Sequence, residues 1–239
     1  TGVTIYRGDA WPEEHRSLAI VGDVGSNLIH RKRLSASGSV QLIGRRVDRE
    51  SEFVVSKDVW FRPAQFACGP DGTLAVVDVY REVIEHPKSL PPDIKRHLDL
   101  TSGRDRGRIY RIVPVGYQHR PTEALSKLGN RELVDRLAHP NAWHRETASR
   151  LLYQRRPASA EQVLRQQCAE NPSALARLHS MYALVGLGKL SVDDVAARLS
   201  DDHPQVVRHA VRLSERFPNN RSIHDALRGL TDHPSIDVR

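Results

Sequence analysis

The tight turn Gly69-Pro70-Asp71-Gly72 lies between two apolar runs, residues 61–68 and 73–80, and it decides the interpretation of the N-terminal half. Proline presets the backbone early in such a turn, and glycine adopts the left-handed conformation that closes it. Two β-prone runs joined by this signal predict a β-hairpin. Side chains capable of chemistry follow the second run directly, and they are Asp78, Tyr80, Arg81, Glu82, Glu85 and His86.

Further β-prone runs, separated by turn residues, precede the hairpin at residues 18–24, 27–34, 40–47 and 52–56. One of the turns, residues 35–39, contains Gly38. After the hairpin and a long polar loop, residues 108–115 form another strand candidate. Short strands at a spacing of about 8–12 residues are typical of antiparallel all-β structure, and four of them make one propeller blade. The sequence therefore predicts the last blades of a β-propeller over residues 1–116.

The pattern changes at Tyr117, where strand alternation gives way to helical periodicity. A dipeptide of His or Asn followed by Pro recurs at spacings of 32, 32 and 30 residues, as His139-Pro140, Asn171-Pro172, His203-Pro204 and His233-Pro234. Proline is well tolerated at the start of a helix, so each dipeptide predicts the beginning of a helical pair. These repeats predict an α-solenoid of HEAT-like units over residues 128–239, after a linker at residues 117–127.

The recurring histidines raise the question of a metal site. Each occupies the same turn of its own repeat, so successive histidines would lie about 10 Å apart at ordinary helix spacing. Metal ligands sit about 2 Å from a shared ion, and this separation therefore favours a structural role. The two cysteines, Cys68 and Cys168, are far apart and match neither a zinc site nor a haem-attachment motif.

The composition describes a globular chain with 27% charged residues and a formal net charge of +7. The positive charge is spread over both halves without a basic tail, which favours an arginine-rich solvated surface over a nucleic-acid partner. No run of about 18 apolar residues occurs, so the sequence predicts no membrane span.

Seven motifs occur in an order that is known from one protein family; they are residues 6–12, 25–31, 60–63, 69–72, 78–81, 83–87 and 107–112. Together they resemble the membrane-bound dehydrogenases of planctomycete-type bacteria. That family has a propeller similar to the glucose/sorbosone dehydrogenases, followed by HEAT-like repeats and often by a c-type cytochrome. The chain departs from the family at Ala75, where an aromatic residue is usual, and it contains no cytochrome motif.

The resemblance implies oxidation of an alcohol or sugar, with a quinone such as PQQ together with Ca²⁺, or another redox acceptor. Such a reaction needs a base for the hydroxyl proton and cations for an anionic cofactor. His86 and Asp78 are the candidate catalytic residues, and the candidate cofactor-binding residues are Arg62, Arg81 and Tyr80. Glu82 and Glu85 could add oxygen ligands for a hard cation. The resemblance further implies a periplasmic or other extracytoplasmic location and a c-type cytochrome partner.

Each candidate residue also has a structural interpretation. Asp78 could cap the turn that follows it, Arg62 could clamp neighbouring segments, and Tyr80 could belong to the core. Because a propeller site draws on several blades, we do not expect this chain to be active alone.

Two further classes of function stay open: a non-catalytic interaction scaffold that binds a protein partner through the helical repeats, and nucleic-acid binding by a basic helical face. The arginines available for the latter are Arg145, Arg150, Arg155, Arg156, Arg177, Arg208 and Arg212, but few aromatic residues accompany them for base stacking.

Overall fold

A computed structural model of the protein describes residues 2–36 and 42–239. The chain divides into two compact units, Thr1–Pro121 and Thr122–Arg239, and the division falls within the segment predicted as a linker. The first unit is built on antiparallel sheets and the second on helices. The prediction of a mixed architecture, β followed by α, is therefore confirmed.

The first sheet has the strand order β1-β2-β3-β4. Strand β5 pairs with the first two residues of β3, and β4 pairs with its last five. Its strands are β1 (Val3–Ile5), β2 (Leu18–Asp23), β3 (Leu28–Ala36), β4 (Leu42–Arg46) and β5 (Val54–Val55). All neighbours are antiparallel. The strands predicted at residues 18–24, 27–34 and 52–56 are confirmed as β2, β3 and β5. The predicted turn at Gly38 and the first residues of the strand predicted at 40–47 lie outside the described residues.

The second sheet confirms the hairpin prediction. It consists of β6 (Pro63–Cys68), β7 (Leu74–Asp78) and β8 (Arg108–Ile112), in the order β6-β7-β8 and antiparallel throughout. The turn closes with the Gly69 N–H donating to the Thr73 carbonyl at 2.8 Å, and Gly72 has a φ of +82°. Glycine is required at that position because other residues are strained in the left-handed region.

The hairpin turn is also a point of attachment for distant segments. The Tyr6 hydroxyl donates to the Gly72 carbonyl at 2.6 Å, and Arg111 donates to the Asp71 carboxylate at 3.0 Å. The Asp71 carbonyl accepts from both the Tyr117 hydroxyl and Arg120. The turn therefore ties β8 and both ends of the first unit together.

One apolar core lies between the two sheets. Its buried members come from both of them, and they are Tyr6, Leu18, Ile20, Ile29, Phe61, Phe66, Leu74 and Val76. The sheets approach closely where β2 passes β6, since a Cβ added to Gly22 would lie 2.3 Å from the Pro63 carbonyl oxygen. Burial of these side chains from water is the main term that stabilises the unit.

The long loop between β7 and β8 contains two short helical segments that the sequence did not predict. They are a 3-10 turn, Pro87–Ser89, and a single helical turn, α1 (Pro92–Lys95). The loop then returns to the end of β7, where Gly103 has a φ of +86° and an added Cβ would meet the Tyr80 carbonyl oxygen at 2.3 Å. Gly103 therefore allows the loop backbone to pack directly on Tyr80.

The second unit consists of antiparallel helix pairs packed in two rows. Its helices are α2 (Asn130–Arg136), α3 (Ala142–Arg155), α4 (Ala160–Glu170), α5 (Ala174–Leu187), α6 (Val192–Arg198), α7 (Pro204–Ser214) and α8 (Arg221–Gly229). Helices α3, α5 and α7 form one row, and α2, α4, α6 and α8 form the other. The helices predicted near residues 160–168 and 192–199 are confirmed as α4 and α6. No helix in the described ranges is both long and apolar enough to cross a bilayer.

The recurring dipeptides all form the same side-chain bond. In each, the side chain of the first residue accepts the N–H two residues later; the pairs are His139–Asn141 at 3.0 Å, Asn171–Ser173 at 2.9 Å, His203–Gln205 at 3.2 Å and His233–Ser235 at 3.0 Å. The Nδ1 of a histidine and the side-chain oxygen of an asparagine thus serve equally as the acceptor in this turn. The histidines recur because each turn needs an acceptor before its proline.

Two buried arginines hold successive turns in place. Arg145 donates to the carbonyls of His139 and Pro140, and Arg177 donates to the equivalent carbonyls of Asn171 and Pro172. Each also reaches the next pair of helices: Arg145 bonds to the His179 side chain, and Arg177 bonds to Asp201. The arginine bonds to the turn carbonyls therefore recur from one repeat to the next, together with the sequence motif.

Candidate functional site at the mouth of the inter-sheet cleft

An open cleft of about 470 Å³ separates part of the two sheets in the first unit. Its lining is mostly apolar and comes from β3, β5, β7, β8 and the segment before β6; it includes Ile29, Val54, Val55, Phe61, Val76 and Tyr110. Val76 pairs with Tyr110 across β7 and β8, so both side chains are on the sheet face that borders the cleft. Concave apolar sites with a few polar groups are the usual form of small-molecule sites.

A polar and aromatic cluster adjoins this cleft. The guanidinium of Arg108 lies 3.9 Å above the ring centre of Tyr80, and its Nη1 donates to the Tyr110 hydroxyl at 3.3 Å. The Asp58 carboxylate lies near the Tyr80 hydroxyl, and the centre of the Trp60 ring lies 5.6 Å from the centre of the Tyr80 ring. We call these five residues, Asp58, Trp60, Tyr80, Arg108 and Tyr110, the Tyr80–Arg108 cluster.

The end of β7 fixes the position of Tyr80. The Asp78 Oδ1 accepts the N–H groups of Arg62 at 2.8 Å and of Tyr80 at 2.9 Å, which bends the chain immediately after the strand. Tyr80 then has a φ of +47°, a conformation that is uncommon for a bulky residue. Backbone strain of this kind costs about 1–3 kcal/mol and often accompanies a functional position.

The electrostatics of the cluster keep its groups in defined protonation states. The N–H of Trp60, followed by the Tyr80 hydroxyl and Arg108, lowers the pKa of Asp58. The neighbouring Asp58 carboxylate raises the pKa of Tyr80, and the hydrogen bond to Tyr110 raises the pKa of Arg108. At neutral pH the cluster therefore presents a carboxylate, a protonated Tyr80 phenol and a guanidinium cation.

Asp78, a predicted catalytic residue, lies behind this cluster with its side chain completely buried. While Oδ1 holds the turn, Oδ2 has no hydrogen-bond partner among the described residues and lies 3.8 Å from the Arg108 Nε. Asp78 thus orders the backbone and adds negative charge beneath Arg108. Its use as a base stays a prediction.

Arg62, a predicted cofactor-binding residue, is 8% exposed, and its guanidinium donates hydrogen bonds to three backbone carbonyls. Its Nη1 donates to the Val24 carbonyl at 2.6 Å, its Nε to the Arg81 carbonyl at 2.9 Å and its Nη2 to the Glu82 backbone carbonyl at 2.8 Å. These bonds clamp the turn between β2 and β3 to the start of the long loop. Arg81 is half-buried and donates to the Val79 and Tyr80 carbonyls.

His86, the other predicted catalytic residue, is exposed and its Nδ1 accepts the Lys88 N–H at 3.2 Å. It caps the 3-10 turn in the same way as the histidines of the helical unit. Glu82 and Glu85 are also exposed, and Glu85 accepts the N–H of its neighbour Ile84. Of the five predicted site residues, the structure places Tyr80 in the cluster and Asp78 directly behind it, whereas no contact found among the described residues links His86 to the cluster.

The sequence did not single out Asp58, Trp60, Arg108 or Tyr110 as site residues. A usable signal was present for the last two, because alternate residues of one strand share a face and Arg108 is two positions before Tyr110. Their relation to Tyr80 depends on the register that pairs Asp78 with Arg108. That register could not be predicted across the long loop.

The donor set does not fit a quinone bound together with Ca²⁺. A Ca²⁺ ion takes 6–8 oxygen ligands, and the described residues contain no group of three or more His, Cys, Asp or Glu side chains placed to share a metal ion. Arg62, which could have gripped a cofactor carboxylate, is occupied by carbonyls. The cluster is suited to a small polyhydroxylated molecule, since its acceptor and donors can bond hydroxyls while its rings pack against C–H groups.

The fold and this site describe a mixed β-plus-α protein with a candidate small-molecule site in its β unit. Residues 1–116 match the model of a family described as Domain of unknown function (DUF7133). The matched segment contains both sheets and the whole Tyr80–Arg108 cluster. No curated protein and no solved structure matches the chain.

Proposed function

We propose that the chain contributes a sugar- or alcohol-binding site to a dehydrogenase of the β-propeller class, and that the site is the Tyr80–Arg108 cluster. The observation that carries this proposal is the meeting of a guanidinium, two phenols and a carboxylate beside an apolar cleft, with Tyr80 held in a strained backbone conformation. The family resemblance supplies the reaction class. The same resemblance implies a location outside the cytoplasm and a c-type cytochrome partner.

Two features of the architecture support the fold part of this proposal. The sheets of the first unit share one core, as successive propeller blades do. In the second unit the turns and the two buried arginines repeat with the helices, as expected of HEAT-like repeats stacked into a solenoid.

Within the proposed site each residue has a defined task. Arg108 and Tyr110 donate hydrogen bonds to substrate hydroxyl oxygens, and Asp58 accepts one from a substrate hydroxyl. Trp60 and Tyr80 provide rings for the apolar face of the substrate. Because the described residues do not fit a quinone with Ca²⁺, we assign substrate binding to this chain and no step of the oxidation.

Calorimetric titration of the protein with monosaccharides, polyols and simple alcohols tests this proposal. We expect at least one of these compounds to bind, and we expect Arg108→Gln to abolish the binding. The control is Arg104→Gln, which removes an exposed arginine from the loop that precedes β8. Because we assign no oxidation step to this chain, the dehydrogenase class is tested by dye reduction with the same compound in an assembly that contains a complete propeller. If no sugar, polyol or alcohol binds, the proposal is wrong.

A non-catalytic scaffold is the second candidate, and one observation favours it. Arg62, Asp78 and His86 each bond to nearby backbone, so the predicted chemical groups have structural uses in the fold. A scaffold predicts neither small-molecule binding nor dye reduction, together with retention of a protein partner.

Nucleic-acid binding is the weakest of the three classes. Four of the seven arginines considered for it, Arg145, Arg155, Arg156 and Arg177, donate to backbone carbonyls within the helical unit. Of this set, only Arg150, Arg208 and Arg212 make no such bond among the described residues, and few aromatic residues accompany them for base stacking.

A further inference from the structure

The helical unit has a groove of its own, on the row formed by α3, α5 and α7. Its volume is about 570 Å³ and its lining is mostly apolar. We call Leu178, Ala183 and Gly186 of α5 the floor of the groove; Tyr153 of α3 and Tyr182 of α5 also line it. Tyr153 is 57% exposed, a large fraction for an aromatic ring that borders an apolar groove. Exposed apolar surface of this kind commonly marks an interaction site.

Gly186 keeps the floor open. A Cβ at this position would lie 3.2 Å from the Tyr153 Cδ2, so a larger residue would fill the space beside the ring. At the other end of the groove the Tyr182 hydroxyl and the His209 Nδ1 are 2.8 Å apart. Burial, followed by the charges of Arg208 and Arg212, lowers the pKa of His209. The His209 ring is therefore neutral at physiological pH.

The rim is strongly positive. Arg150 lines the groove on α3, and the Arg156 guanidinium lies 5.7 Å from the Tyr153 ring centre. On α7, the exposed Arg208 and Arg212 lie close enough to His209 to lower its pKa, and the exposed Arg216 follows the end of the helix. Among the described residues, Arg150, Arg208, Arg212 and Arg216 have no carboxylate within ion-pair distance, and Glu146 is the one acidic residue in the lining.

We propose that this groove binds an acidic peptide segment of a partner protein, with one apolar side chain of the peptide on the Leu178–Gly186 floor. The unpaired arginines complement the acidic residues, and exposed tyrosine and arginine are the residues that contribute most to protein interfaces. A nucleic acid fits less well because the floor is apolar and offers phosphates no partner. The groove belongs to the helical unit, and its role as a peptide site does not depend on the sugar site.

Fluorescence anisotropy of labelled probes with the full chain tests the groove. The probe is a short peptide of Asp and Glu with a central Phe-Leu pair; the comparison probes are the same peptide with Lys for every acidic residue and a single-stranded DNA of similar length. We expect the acidic peptide to bind at least about tenfold more tightly than the lysine peptide. Its affinity should fall as NaCl screens the arginine rim.

Two variants separate the rim from the floor. Arg150→Glu combined with Arg212→Glu reverses the rim charge, and Gly186→Leu fills the floor without any change in charge. Each should weaken the acidic peptide by about tenfold or more. The control combines Arg131→Glu with Arg221→Glu, which are exposed arginines of α2 and α8 outside the groove. Far-UV circular dichroism checks that all variants keep their helices.

Three results would overturn the proposal: no saturable binding of the acidic peptide, equal loss in the control variant, or tighter binding of the DNA with loss in the rim variant. The last result would indicate a nucleic-acid interface. Loss of peptide binding in both groove variants and its retention in the control support the assignment.

Discussion

At the scale of single residues, substitution of Arg62 can distinguish a role in fold stability from a role in cofactor binding. Its side chain joins the Val24, Arg81 and Glu82 carbonyls, and its removal would leave these partly buried acceptors without this donor. We expect Arg62→Ala to lower the free energy of unfolding by about 3 kcal/mol, as measured by urea denaturation. The half-buried Arg81, with two carbonyl partners, serves as control, and Arg81→Ala should cost under about 1 kcal/mol.

The opposite pattern would support cofactor binding. If Arg62→Ala folds with unchanged stability but loses ligand binding, the clamp is not the main use of the guanidinium. Arg62→Lys adds a second readout, because a single ammonium cannot reach three separate carbonyls in the way that a planar guanidinium does. We expect the lysine variant to be nearly as destabilised as the alanine variant.

At the scale of elements, the His-Pro and Asn-Pro turns predict an exchange rule. His203 precedes α7 and accepts the Gln205 N–H, as Asn171 does for Ser173 before α5. His203→Ala should destabilise the helical unit by about 1 kcal/mol, whereas His203→Asn should keep the stability of the natural protein. Thermal unfolding followed at a helix wavelength measures both. Equal loss in the two variants would show that the ring has another use.

Most elements could be predicted because their signals are local. The hairpin depends on a turn within four residues, Gly69–Gly72, and the helix starts depend on one dipeptide each. The register of α7 could not be predicted in this way. Since α7 begins at Pro204, whereas α3 and α5 begin two residues after their prolines, Val207 takes the buried place of Arg177 and Arg208 is exposed. A shift of two residues changes which side chain faces the core.

The candidate site likewise could not be predicted fully from local signals, because its residues are distant in sequence. Tyr80 could be predicted, because it follows an apolar strand in a polar stretch. Arg108, which contacts the Tyr80 ring, belongs to the site only through the pairing of β7 with β8, and that pairing spans the long loop. Non-local contacts of this type are decided by packing of the whole unit and have no short sequence signal.

At the scale of the whole molecule, buried carboxylates make stability depend on pH. In the helical unit, Asp201 has a side chain that is 1% exposed and bonds to Arg177, Arg198 and the His203 N–H. Burial alone raises the pKa of Asp201, but the Arg177 hydrogen bond and the His203 N–H outweigh it, and the pKa lies below the usual 3.8. In the β unit, the hydrogen bond from Arg31 likewise lowers the pKa of Asp48.

A carboxylate with a lowered folded-state pKa stabilises the fold above its unfolded pKa, and this contribution is lost as the pH falls through the folded value. The protein should therefore lose stability as the pH falls below about 5, with Asp201 accounting for part of the loss in the helical unit. Asp201→Asn cannot titrate, so we expect it to be less stable than the natural protein at pH 7 and to change less on acidification. Urea denaturation followed at a helix wavelength at several pH values measures this. Asp202→Asn is the matched control, because Asp202 also bonds to Arg177 but its side chain is 88% exposed and contributes little. A pH dependence that is unchanged in Asp201→Asn would show that other groups control acid unfolding.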